Sequence, residues 1–173
     1  MSPEKDIRAA RERLVREHME SENVHEYNVT IGTFHHPRYE LIGTGDVFDG
    51  EEEVRAYFAE SRTAFPDQRN EPIAFHHADE ALIAEFWLRG THLGSFRGLP
   101  PTGRSFECRM AAFFVFGGPD NTELDCERVY FDAATILRQL GVAHDPNTLT
   151  GRIATVFNHP LTIGGALLRR LRR

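Results

Sequence analysis

The stretch from Ile73 to Phe131 constrains the fold most. Its β-rich runs are broken three times by turn residues, at Asp79-Glu80, at Gly98-Leu99-Pro100-Pro101-Thr102-Gly103, and at Gly117-Gly118-Pro119-Asp120-Asn121. Apolar and β-branched runs between such breakers predict four strands joined by three consecutive hairpins. Gly90 and Gly94 interrupt the long run from Ala81 to Arg97. Interior glycines mark a bulge or sharp bend, so this meander is expected to curl strongly.

Upstream the periodicity changes from two to about 3.6. Ser2 caps a predicted helix with Pro3 at its first position, and Ile7, Ala10, Leu14, Val15 and His18 share one face. A second, shorter helix is predicted from a cap at Ser21, with Val24, Tyr27, Asn28 and Ile31 on one side and a stop near Gly32. A short strand, Arg38 to Ile42, follows. Asp49-Gly50 then opens a third helix that carries three glutamates in its first turn, where the helix dipole favours anions. Its inward face holds Val54, Tyr57, Phe58 and Ser61, and Pro66 ends it. After the meander, Asp132 begins a short helix over Ala133 to Leu140, with Gly141 as its stop. Helices grouped ahead of an antiparallel meander give an α+β fold in which the helices cover one face of the sheet.

The chain has 173 residues, 40% of them hydrophobic and 27% charged, the range of one packed core. A net charge of -6 argues against a surface built for nucleic acid, which needs an excess of Lys and Arg. Positive charge is local: after His144, Arg152, Arg169, Arg170, Arg172 and Arg173 face only Asp145. The chain thus divides into a pocket domain over 1–143 and a basic helical extension over 144–173, in two pieces split by Asn158-His159-Pro160. In the extension Ile163, Ala166, Leu167 and Leu171 share a face among the arginines. That pattern fits an interfacial membrane helix, or, as we prefer, packing on the chain's own domain or a partner. No leader-like apolar region opens the sequence and no run of about 18 apolar residues occurs, so no integral membrane contact and a cytoplasmic location are expected. Cys108 and Cys126 lie in apolar stretches without C-x-x-C spacing and read as reduced core thiols.

Metal and nucleotide readings find little support. Adjacent histidines, His35-His36 and His76-His77, point to opposite faces if they lie on strands, and no H-x-H or H-E-x-x-H motif accompanies them. Gly43-Thr44-Gly45 lacks the later glycine and the strand-to-helix setting of a dinucleotide loop. No metal and no cofactor are expected. On the strand Ser105 to Phe116, Phe106, Cys108, Met110, Ala112, Phe114 and Phe116 share one face, and Glu107 and Arg109 the other. The apolar set is expected inside, because an unpaired buried charge costs several kcal/mol. Trp87, Phe86 and Phe96 are candidates for an aromatic cavity wall or for plain core.

The run Gly90-Thr91-His92-Leu93-Gly94-Ser95-Phe96-Arg97-Gly98-Leu99-Pro100-Pro101-Thr102-Gly103-Arg104 resembles the G-T-H-x-G-x-F-x-G-x-P-P-T-G-[RK] pattern of SnoaL-like polyketide cyclases, within the nuclear-transport-factor-2-like superfamily. Ala64-Phe65-Pro66-Asp67 and Glu127-Arg128-Val129-Tyr130-Phe131-Asp132, leading into Leu137-Arg138-Gln139-Leu140-Gly141, follow the same order. The resemblance covers roughly Ile7 to Gly141. It implies a cone-shaped curved sheet that encloses a pocket with the N-terminal helices, a homodimer, and a small apolar ligand or substrate. It also implies that Asp132 is the general acid/base of a cyclase or isomerase.

Desolvation at an apolar pocket mouth raises a carboxyl pKa, which suits proton exchange with a carbon acid; Asp132 equally serves as a helix cap. His92, between two glycines, is a candidate proton relay or carbonyl donor, or a histidine packing a bend. Tyr130 shares a strand face with Arg128 and Asp132 and offers a phenol to an enolate oxygen, or is ordinary core. The expected function is cofactor-independent proton transfer on an apolar carbonyl compound; the alternative is a hydrophobic-ligand-binding dimer without catalysis.

Overall fold

The computed structural model describes residues 3–171, so the expected cap at Ser2, together with Arg172 and Arg173, lies outside the described residues, as do the side chains of Leu167 and Leu171. Helix α1 spans Pro3–Asn23. Its inner face at three- and four-residue spacing carries Val15, His18, Met19 and Glu22, all buried, so an apolar stripe has two ionisable groups set into it. Ser21 lies inside α1 and does not start the next helix: its hydroxyl donates to the His18 carbonyl at 2.7 Å and meets Thr30 Oγ1 at 2.7 Å. Back-bonding within a turn satisfies such a hydroxyl without a cap. It ties α1 to α2, Tyr27–Gly32.

Strand β1, Arg38–Leu41, turns back on β2, Asp46–Asp49, pairing Tyr39 with Phe48. The sequence reading passed over β2, because four residues between two turns carry almost no periodicity. Gly50, at φ +93°, makes the corner into α3, Glu51–Ala64. Strands β3, Arg69–His77, β4, Ala81–Thr91, β5, Ser105–Gly117, and β6, Glu123–Tyr130, form the expected meander, which begins four residues earlier than Ile73.

All six strands make one open sheet in the order β2-β1-β6-β5-β4-β3, with α1 and α3 across one face. Every pairing is antiparallel except β1 with β6, which is parallel because α3 intervenes between β1 and the meander. The ladder slips at two places, between Pro72 and Ala74 and between Val115 and Phe116. Bulges of this kind bend the strand that carries them. Gly90 and Gly94 act differently from the sequence expectation. Gly90 pairs in register with Phe106, whose ring a Cβ would approach to 3.1 Å. Gly94 lies beyond β4, where a Cβ would stand 2.0 Å from the Thr63 carbonyl oxygen at the end of α3. Both glycines permit close packing and leave the register unbroken.

The register fixes the faces. Leu82, Ala84 and Phe86 of β4 and the alternating apolar set of β5 are buried beneath the helices. Leu124, Glu127 and Val129 of β6 pair with Phe116, Phe114 and Ala112, and so face inward with them. Glu107 and Arg109 face outward, where Arg89 bonds Glu107 and Glu71, and Arg109 bonds Glu85. Trp87 stands on this outer face between Arg89 and Arg109, each 5.9 Å from its ring. Cys108 and Cys126 are free and buried.

Helix α4, Ala133–Gln139, lies against β5. Beyond it α5, Leu149–Asn158, packs on α6, Pro160–Leu171. Phe157, Leu161 and Leu149 of this pair are 80%, 91% and 75% exposed, so its apolar residues are largely uncovered by the body. No described helix is long and apolar enough to cross a membrane.

Candidate active site

The concave face of the sheet, α3 and α4 enclose a cavity of about 310 Å³. That is at the lower end of the roughly 300–1,000 Å³ of small-molecule sites. Its walls are mostly apolar: Leu41 from β1, Phe65 after α3, Leu88 from β4, Phe106 and Met110 from β5, Val129 from β6, and Ile136, Leu137 and Leu140 on the α4 side. Phe96 and Leu99, from the loop between β4 and β5, complete one side. Polar groups enter from α3 and its C-terminal flank as Tyr57, Glu60, Ser61 and Gln68, from the loop between β4 and β5 as Arg97, and from the turn into β2 as Thr44 and Asp46.

Tyr57, Ser61, Gln68, Leu88, Met110 and Val129 also line a cleft of about 40 Å³ deeper in the cone. The cleft changes character. Glu22 from α1, Tyr39 from β1, Arg62 from α3, Asn70 from β3 and Glu127 from β6 line it.

Behind these groups His18, fully buried, centres a connected polar cluster. Thr33 Oγ1 donates to the Thr30 carbonyl at 2.6 Å, so it accepts from His18 Nδ1, 2.8 Å away. Tyr39 donates its hydroxyl proton to Glu22 Oε1 at 2.8 Å, leaving its oxygen an acceptor toward His18 Nε2, also at 2.8 Å. Glu127 Oε2 is 3.0 Å from the same Nε2. Both ring nitrogens therefore donate and His18 is an imidazolium. Burial works against that charge, but the hydrogen bonds and attraction of Glu127 and Glu22 outweigh it and raise the pKa to about 9.

The two carboxylates are pushed apart. Burial, reinforced by repulsion from Glu22, raises Glu127 above the ordinary carboxylate range. Burial also opposes a charged Glu22, yet the bond to His18 prevails and lowers its pKa. Glu22 has both oxygens occupied, Oε1 by Tyr39 and Oε2 by Asn70 Nδ2 at 2.6 Å. Glu127 differs: its Oε1 has no hydrogen-bond partner among the described residues. The phenols of Tyr39 and Tyr57 are held protonated, first by burial and then by the two glutamates.

The ligating atoms of His18, Glu22 and Glu127 lie within 4.8 Å of one another, a spacing that a cation could bridge. With Nε2 donating, however, the imidazole has no lone pair free for a metal.

The residues singled out from the sequence lie elsewhere. Asp132 is the N-cap of α4, accepting from Thr135 N at 3.2 Å and lying 3.4 Å from Arg138, and its side chain is 59% exposed. The Thr135 hydrogen bonds hold its pKa below the usual value. Its neighbours Phe131 and Ala133 line the cavity; Asp132 does not. Tyr130 pairs with Ala111 on the outer face and packs on Phe113, 5.3 Å between ring centroids. Alternation groups Arg128, Tyr130 and Asp132, and none of the three lines the cavity.

His92 is fully buried beside Phe65 and fixes the loop after β4: Thr102 N donates to its Nδ1 at 3.3 Å. Its Nε2 is buried with no partner among the described residues, and the ring is absent from the cavity wall. None of these three lines the cavity, whereas the structure brings together His18, Glu22, Tyr39 and Glu127, which the sequence does not mark as functional. His18 was assigned to the apolar face of the first helix. A charged residue at i+4 on that same face, Glu22, is the signal that it was paired.

A curved α+β sheet with a motif-bearing loop at the cavity leads to comparison with known proteins. The sequence model of the SnoaL-like polyketide cyclase family matches residues 12–140. The chain belongs to this family. A candidate SnoaL-like polyketide cyclase from a Jannaschia species superposes with a TM-score of 0.71, at 17% identity, over 84% of this chain and 98% of that one. IdmH, a candidate polyketide cyclase from Streptomyces antibioticus, gives 0.63 at 23% identity over 76% and 98%. A Catenulispora acidiphila protein with a ketosteroid isomerase-like fold, in complex with trimethylamine, gives 0.62 at 17% identity over 75% and 92%. No curated protein sequence matches the chain. At these identities the structural likeness speaks for the fold, and the family's SnoaL-like proteins share the architecture derived above.

Proposed function

We propose that this SnoaL-like protein binds a small, largely apolar carbonyl compound in the cone and moves a proton on it without a cofactor, as a cyclase or isomerase does. The observation that carries the reading is the join between an apolar cavity of about 310 Å³ and a deeper cleft holding two glutamates in unlike environments. Apolar walls supply affinity by burying rings, and a desolvated carboxyl whose pKa is raised above the ordinary range can exchange protons with a carbon acid. Asp132, His92 and Tyr130 are not carried into this reading, because none lines the cavity. The homodimer belongs to it as the expected assembly; light scattering should return twice the chain mass of 19.7 kDa.

A second reading, a binding protein without catalysis, is favoured by one observation: the aspartate matching the family's acid/base has its carboxylate engaged as a helix cap. Ligand binding tests what the two readings share. Fluorescence titration with 2-naphthol, a planar enol, should show one saturable site, and Leu137→Trp, which fills the α4 wall, should weaken it at least ~10-fold, or about 1.4 kcal/mol. Unsaturable binding, or binding indifferent to Leu137→Trp, would contradict the cavity reading.

A further inference from the structure

Resting on the carbonyl-compound reading above, we infer that Glu127 is the residue that takes the proton from carbon, with His18 and Glu22 as positioning residues and Tyr57 as the donor to the enolate oxygen. The argument starts from the proton inventory of the cluster. One imidazolium and two carboxylates leave a net charge of minus one in a buried site. A further proton therefore has a place to go, and the hydrogen bonds say where. Glu22 already accepts at both oxygens, whereas Glu127 Oε1 is unpartnered and Glu127 lines the cleft that continues the cavity. His18 donates to Glu127 Oε2, which fixes the carboxylate and leaves the other oxygen free.

Tyr57 lines both spaces, and its hydroxyl has no hydrogen-bond partner among the described residues. A phenol kept protonated is a donor for developing negative charge. The step balances simply. The bond from the α-carbon to hydrogen breaks, its proton passes to Glu127 Oε1, and its electron pair delocalises into an enolate whose oxygen accepts from Tyr57. Reversal returns the proton to the same carbon or to a conjugated one. No oxidant, reductant or metal enters. The substrate class is an enolisable aryl or conjugated ketone whose rings fit Leu88, Phe106, Val129 and Leu137.

The experiment uses the full chain, with 2-tetralone as the carbon acid and 2-naphthol as its binding control. Wash-in of deuterium at the α-carbon of 2-tetralone is followed by NMR in D2O. Wild type should accelerate exchange above buffer. Glu127→Gln should lower the protein-dependent rate at least ~100-fold, within the range usual for a lost general base, while 2-naphthol affinity changes less than ~3-fold. Asp132→Asn should leave the rate within ~3-fold of wild type.

The wild-type rate should also rise with pH through a group above the ordinary carboxylate range, and that limb should vanish in Glu127→Gln. The groups that face Glu127 and set this limb are His18 and Glu22 from α1, Tyr39 from β1, and Tyr57 and Arg62 from α3. Should Glu127→Gln fail to fold, Glu127→Asp keeps the charge beside His18 but withdraws the carboxylate by one methylene, and the exchange rate should still fall at least ~10-fold. Wild type that binds 2-naphthol without accelerating exchange overturns the inference, as does a rate lost in Asp132→Asn and kept in Glu127→Gln. Wild type that does not bind 2-naphthol overturns the ligand reading on which the inference rests.

Discussion

His18 Nε2 stands 3.0 Å from Glu127 Oε2, so the first helix and the last strand of the sheet are joined by a fully buried imidazolium and a carboxylate. A group whose pKa rises on folding binds its proton more tightly in the native state, so stability is lost as pH increases. For His18 the contribution is complete below about pH 6.5, its unfolded value, and disappears as pH passes the folded value of about 9. The upward shift of Glu127 has the same sign. Denaturant unfolding should therefore show stability falling by about 3 kcal/mol between these limits. In His18→Gln the slope over that window should flatten, and an unchanged slope would refute the imidazolium assignment.

Asp132 acts on α4 as a cap. Asp132→Ala should lower the thermal midpoint by a few degrees, as loss of a cap does, whereas Asp132→Ser should restore most of it. Differential scanning calorimetry of the three proteins measures this. A role for the carboxylate charge itself would show as failure of serine to rescue.

Burial raises the pKa of both thiols, Cys108 by desolvation and Cys126, by desolvation and the nearby Glu40, to about 11. A thiol that stays protonated reacts slowly. Ellman's reagent at pH 8 should modify neither cysteine in the folded protein and both in guanidinium. Rapid labelling without denaturant would show that the interface of β5 and β6 opens readily.

The pair α5–α6 packs on itself and leaves Phe157 and Leu161 exposed. Ending the chain at residue 143 should leave the thermal midpoint of the body within about 3 °C, since little core is lost. It should also reduce binding of a hydrophobic dye. A drop of ten degrees or more would mean that α5 or α6 completes the fold.

The strands of the meander were legible because turn residues bracket β4, β5 and β6, and because the apolar alternation of β5 can face only one way. The family was legible in the loop from Gly90 to Arg104, whose His92 and glycines pack the turn after β4. The candidate site was not. Its members are spread over Glu22, Tyr39, Tyr57 and Glu127, and they meet only through the register of β1 and β6 and the crossing of α1. Alternation groups Tyr130 with Arg128 and Asp132. Which side of β6 faced the cone depended on its pairing with β5, where Ala112 meets Val129 and Phe114 meets Glu127. That pairing was the missing step, since an apolar inner face on β5 carries Glu127 inward with it.

The most direct measurement is a crystal structure of the chain with 2-naphthol. The account predicts the rings between Leu88, Phe106, Val129 and Leu137, with the hydroxyl directed to Tyr57. A ligand seated outside the cone, beside Asp132 and Tyr130, would contradict it.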